Sequence, residues 1–266
     1  TFIAPIDIPL PCRASDRTMD SIDVFLITGA VFLLGGVVKG TVGFGLPLVS
    51  ITLLTPFYGL VDAIALMVIP AVMTNLWQAV TGGQFMAACR RLWPLYLAGT
   101  VSTALFANVL LQIHSRWPTI LLGAVIVIYS ISGLLAWRLA APGSNERWLA
   151  PVTGLITGFF TGLTGVLVFP LNAYLQALKL SRVMLIQAMG IYLLLANTAV
   201  ASVFGSRGAF SDAAIVLALI GVVAGLAGMA MGRRVRERLS DHLFERVFYI
   251  TLATVGSYIA ARALLT

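Results

Sequence analysis

The sequence predicts an all-α polytopic membrane protein, with about ten helical segments in two inverted five-segment repeats. Three observations predict it. Hydrophobic residues make up 59% of the chain and charged residues only 10%, and the mean hydropathy of +0.98 is far from that of a soluble domain. The apolar residues fall in runs suited to a hydrocarbon layer of roughly 30 Å, which takes about 20 residues of helix to cross. Finally, the stretch Lys39 to Leu48, KGTVGFGLPL, is answered about 122 residues later by Thr161 to Leu171, TGLTGVLVFPL. Gly162 and Gly165 answer Gly40 and Gly43, and Pro170 stands close to the place of Pro47. The register continues downstream, pairing Asn75 with Asn197, Ala79 with Ala201, Gly83 with Gly205 and Gly99 with Gly221.

In chain order, residues 1–21 are a polar tail carrying Pro5, Pro9 and Pro11, without the basic-then-apolar order of a cleavable signal peptide. The first repeat, 22–140, has apolar segments at 23–38, 44–55, 60–80, 92–112 and 117–138. A polar linker, 141–147, leads to the second repeat, 148–266, with segments at 148–161, 165–177, 182–204, 212–232 and 243–264. The first two members of each repeat are expected to be short and broken at the Gly-x-x-Gly motif. Backbone groups in lipid are satisfied within a helix or a closed barrel, and the strict alternation of barrel strands is absent.

Orientation follows from the basic residues. If each short pair returns the chain to the face it came from, Arg90, Arg91, Arg138, Arg147, Lys179, Arg182, Arg233, Arg234, Arg236, Arg238 and Arg246 share one face. Arg13, Arg17, Arg116, Arg207 and Arg262 share the other. The richer face is expected to be cytoplasmic and both termini extracytoplasmic. An odd number of segments starts the second repeat on the opposite face, hence the inversion. The net charge of +7 is thus topology information, and with no aromatic-interleaved basic patch it does not point to nucleic acid. Trp77, Trp93, Trp117, Trp137 and Trp148 lie mostly near span ends, as an aromatic belt does. Gly221, Gly225, Gly228 and Gly232, with Gly99 and Thr103 in the matching segment, read as surfaces for close helix packing.

Chemistry is expected at the breaks. Gly40, Gly43, Gly162 and Gly165 let the chain leave helical geometry where protein or a water-filled cavity covers the backbone. A helix restarting near Phe44 and Gly45, or near Val166, presents unpaired N–H groups and a positive dipole end to a small anion. Lys39 is the only cation beside either motif, and an ionisable residue at membrane depth is a functional candidate. Asn75 and Asn197 place amides at equivalent positions, each offering two donors and an acceptor. Thr161 and Thr164 line the second motif. Ser50 and Asn172, paired at the same offset, with Gln78 and Gln187 form a second tier, for which interhelical hydrogen bonds are the competing role.

No carboxylate lies deep in a span, so proton coupling has no obvious carrier. His114 and His242 lack metal-ligand spacing, and no HExxH, GxSxG or P-loop motif appears, so neither an enzyme nor a cofactor is expected. Cys12 and Cys89 lie on opposite faces in this topology and are read as free thiols.

The motif Lys39-Gly40-x-x-Gly43-Phe44-Gly45-x-Pro47, the glycine-rich stretch from Gly154 to Gly165, Pro170 and the repeat of about 120 residues resemble the TauE/SafE, or sulfite exporter, family. The likeness spans roughly residues 22–264. It implies a multi-pass carrier of the plasma (bacterial inner) membrane that exports sulfite, sulfoacetate or a related small sulfur-containing anion. Export by alternating access is expected, the anion held between the two broken-helix pairs. A coupling ion, proton or sodium, is left open, and the carbonyls near Val38 and Phe160 are where it would bind. A homo-oligomer is also left open. The alternatives are an anion channel, or a membrane assembly or receptor subunit whose glycines serve packing alone. The second motif departs from the family pattern, since Val166, Leu167 and Val168 stand where further glycines are common.

Overall fold

Ten α-helices carry the described chain, which in this computed structural model comprises residues 21–113, 115–135, 140–166, 170–210, 212–236 and 241–265. They are α1 (Ser21–Val42), α2 (Leu46–Tyr58), α3 (Leu60–Val80), α4 (Phe85–Leu110) and α5 (Trp117–Leu134). After a 3₁₀ turn at Gly143–Asn145 come α6 (Glu146–Thr164), α7 (Leu171–Ala177), α8 (Arg182–Ser206), α9 (Asp212–Arg236) and α10 (Asp241–Leu265). No strand occurs among the described residues. Among the described residues six helices are long and apolar enough to cross a membrane, so the chain is a multi-pass membrane protein.

The helices pair across the halves. α1 packs on α9 and α6 on α4, while α3 meets α8 and α5 meets α10. Each first helix of a half therefore lies against the fourth helix of the other, as an approximate two-fold axis requires. Contacts at the ends fix the directions. Arg91 near the start of α4 bonds Glu146 at the start of α6, Gln78 near the end of α3 reaches Ile186 near the start of α8, and Gly40 near the end of α1 touches Gly232 near the end of α9. These share the end of the bundle that carries the linker. At the opposite end Arg207, after α8, bonds Asn108 near the end of α4, and Arg262 of α10 bonds the Pro56 carbonyl of α2. α1 thus ends where α6 begins, and the repeats are inverted.

Glycine makes the cross-half pairs possible. A Cβ at Gly36 would lie 2.3 Å from the Gly225 carbonyl oxygen, and one at Gly40 2.4 Å from that of Met229. In the other half a Cβ at Gly158 would lie 2.5 Å from the Gly99 oxygen and one at Gly162 2.7 Å from that of Thr103. Backbones here touch without intervening side chains, the arrangement that van der Waals association favours in lipid.

The breaks differ in detail from expectation. α1 runs 22 residues and α6 19, so of each leading pair only α2, with 13 residues, and α7, with seven, are short. Both leading helices continue through Gly40 and Gly162, which serve packing, and stop one turn later. Gly43 (φ 95) and Gly165 (φ 69) take up left-handed geometry, and their N–H groups close on the carbonyls of Lys39 and Thr161 at 2.8 Å each. These are equivalent glycine C-caps, conformations that a Cβ would penalise. Gly45 (φ 116) then turns the chain into α2, with Pro47 in its first turn. The restart expected near Val166 falls at Leu171, and residues 167–169, like Trp137 and His114, lie outside the described residues. The linker is shorter than expected, because Glu146 and Arg147 already belong to α6.

Gly40→Ala and Gly162→Ala, each with no space for a methyl group, are expected to destabilise the fold by about 1–3 kcal/mol. Gly205→Ala, whose Cβ would meet its nearest neighbour at 3.7 Å, should leave stability unchanged or slightly raised. Thermal melts in detergent check this.

Candidate functional site

Lys39 sits in the last turn of α1, where a cation complements the helix dipole, yet only 1% of it is exposed. It is the only charged side chain buried among the described residues. Its neighbours come from α3: Nζ donates to Thr74 Oγ1 at 3.0 Å and to Asn75 Oδ1. Thr74 Oγ1 in turn donates a hydrogen bond to the Pro70 carbonyl at 2.8 Å. Among the described residues no carboxylate pairs with Lys39. Asn75 is fully buried, and its Nδ2 has no hydrogen-bond partner.

α2 closes another side of this group. Gly35, one turn before Lys39 on the same face of α1, stands where a Cβ would be 3.1 Å from Ser50 Oγ and 3.3 Å from the Leu46 carbonyl. Ser50 is fully buried and its hydroxyl also lacks a partner. The first turn of α2 reads Leu46-Pro47-Leu48, so it offers two amide donors where three would be usual. Phe44 and Gly45 link the two helices, with Phe44 buried. Ser50 and the start of α2 therefore lie against α1 one turn from Lys39, which bonds Thr74 and Asn75 of α3.

A pair of glutamines ties α3 to α8 at the linker end beside this group. Gln78 Nε2 donates to the Gly43 carbonyl at 2.8 Å and to the Ile186 carbonyl at 2.9 Å. Gln187 Nε2 donates to the Ala79 carbonyl, and its Oε1 accepts from the Gln84 amide, both at 2.7 Å. The two residues reach reciprocally between α3 and α8, and Gln78 also binds the carbonyl freed by the first break. Val200 and Ala65 occupy their equivalent positions in the other half.

The second half is chemically different. Thr161 occupies the place of Lys39 and bonds the Thr157 carbonyl of its own helix at 2.8 Å. Thr164 likewise bonds the Phe160 carbonyl at 2.7 Å and accepts from the Val166 amide at 3.3 Å. Asn197 is buried but donates to Leu193 within α8 at 2.7 Å. Asn172 accepts from Gln176 in α7. A Cβ at Gly165 would meet Ile51 and Ile64, as one at Gly43 would meet Ile186. The breaks thus contact α3 at Ile64 and Gln78, roughly 21 Å apart along that helix at 1.5 Å per residue. With seven residues, α7 supplies no helix start comparable to that of α2. The carbonyls of Val38 and Phe160 each accept a threonine hydroxyl, from Thr41 and Thr164. Thr74 was not among the expected residues. The available signal was a hydroxyl four residues after the mid-helix Pro70 and next to Asn75.

An inverted-repeat bundle with paired helix breaks and a buried, uncompensated cation defines a class, the multi-pass membrane transporters. Within it the family model described as Sulfite exporter TauE/SafE matches residues 28–259. The chain belongs to that family. No match was found among curated proteins or among solved structures.

Gln78→Leu leaves the Gly43 and Ile186 carbonyls without their side-chain donor and is expected to cost about 1–3 kcal/mol of stability. Hydrogen exchange should speed up in the first turns of α8, around Ile186, while α5 and α10 stay protected. Unchanged exchange there would show that these two bonds do not hold the end shut.

Proposed function

We propose that this protein exports a small sulfur-containing anion, sulfite or an organosulfonate, by alternating access. The observation that carries the reading is Lys39, a buried cation with no counter-charge among the described residues, beside an amide donor without an acceptor. Burying an unpaired charge is expensive. An anion seated against Lys39 and Asn75 Nδ2 relieves both deficits. In the cycle, the glutamine-closed end opens to admit the anion, the bundle re-forms around it, and the opposite end releases it. The inverted halves suit this exchange, since each end is built from equivalent elements of a different half. An interior-negative potential drives anion exit by about 2.3 kcal/mol per charge per 100 mV.

In proteoliposomes, uptake of radiolabelled sulfite or a sulfonate should saturate and show counterflow. Lys39→Met and Asn75→Ala should lower it at least about tenfold, the loss expected when one partner of a buried hydrogen-bonded charge pair is removed. Thermal shift by the same anion should disappear in parallel. A hundredfold excess over the dissociation constant adds about 2.7 kcal/mol of apparent stability to the wild type. Flux that neither saturates nor shows counterflow indicates a channel, and no flux of any anion removes the transport reading.

The orientation is part of the proposal. Arg90, Arg91, Arg147, Lys179, Arg233 and Arg234 lie toward the linker end, and Arg116, Arg207 and Arg262 toward the other. The positive excess supports a cytoplasmic linker end and extracytoplasmic termini in a plasma membrane. With Cys12 and Cys89 replaced by serine, an impermeant thiol reagent added to intact cells should label Ser115→Cys and spare Asn145→Cys. The reverse pattern inverts the topology.

A further inference from the structure

We infer that the Lys39 site accepts singly charged anions and excludes doubly charged ones. The inference rests on the export reading and narrows its substrate class to monosulfonates and hydrogensulfite, against sulfoacetate, sulfate and the sulfite dianion. Charge balance carries it. Lys39 is the only charged group buried among the described residues, so a monoanion beside it leaves a neutral pair, whereas a dianion leaves one negative charge uncompensated in a medium that penalises it.

Among the described residues no second buried cation makes up the difference. From α2 the one titratable group is Tyr58, at the far end beside Thr28. From α3 it is Asp62 in the first turn, of the wrong sign and roughly 20 Å of helix from Asn75. α9 brings Arg233 and Arg234 close in sequence to Gly232, but both are exposed at the end of the helix. Arg91 is engaged by Glu146, and Arg207 by Asn108. The other contributions to the site are neutral: Asn75 Nδ2, Ser50 Oγ and the short first turn of α2. Neutral donors of this kind suit the oxygens of a sulfonate. They do not supply the second unit of charge that a dianion needs.

The test compares ions of similar size and different charge on the wild-type protein. Isethionate and sulfoacetate differ chiefly in replacing a hydroxymethyl group by a carboxylate. At a pH where both are fully ionised, isethionate and methanesulfonate should raise the melting temperature and compete for flux with an affinity at least about a hundredfold above that of sulfoacetate and sulfate. Lys39→Met should abolish binding of the monoanions. Sulfoacetate or sulfate binding as tightly as isethionate, with both lost in Lys39→Met, overturns the charge rule and leaves the export reading standing. No binding or flux with any of the four ions overturns the export reading and this inference together.

Discussion

The structure depends on backbone contact between helices of opposite halves. Lipid offers no hydrophobic drive for helices to associate, so packing has to supply it. Gly36 and Gly40 supply it for α1 against α9, and Gly158 and Gly162 for α6 against α4. Neither half can bury its own leading helix, because the complementary surface belongs to the other half. This exchange also explains where the helix breaks are tolerated. Gly43 and Gly165 leave helical geometry one turn beyond the packing glycines, at points where Ile186 in one case and Ile51 and Ile64 in the other cover the turn.

Within that frame many buried polar side chains are spent locally. Thr41, Thr157, Thr161, Thr164 and Asn197 bond carbonyls of their own helices, which satisfies them without creating a site. The group around Lys39 departs from the pattern. Its bonds run between helices, its charge has no counterpart, and Asn75 Nδ2 and Ser50 Oγ are unpaired. Unmet polar capacity at membrane depth is costly; Thr52 Oγ1 and Gln78 Oε1 are unpaired as well, so it is the buried cation beside Asn75 that gives the physical reason to put the ligand there.

The halves share a scaffold and not a chemistry. At the common offset Lys39 faces Thr161, Thr74 faces Ala196, Gln78 faces Val200 and Ala65 faces Gln187. One leading pair keeps a 13-residue second helix and the other a helix of seven. Duplication thus preserves caps and packing glycines, which the backbone requires, while side chains toward the interior have diverged. The result is one cationic site, and an amide closure at one end matched by aliphatic residues at the other.

The sequence alone determined the membrane solvent, the helical class, the duplication and the inversion, because each is encoded in composition, run length, offset or loop charge. It also singled out Lys39, Asn75, Gln78 and Ser50, whose polarity is conspicuous in apolar runs. Tertiary structure decided how they divide the work. Gly40 and Gly162 look the same as Gly43 and Gly165 in the motif, and only the presence of α9 and α4 against the first of each pair separates packing from capping. Asn75 and Asn197 are equivalent by offset, yet one receives a lysine from a neighbouring helix and the other bonds its own. Local pattern cannot record that difference, since it depends on which side chain the opposing helix presents.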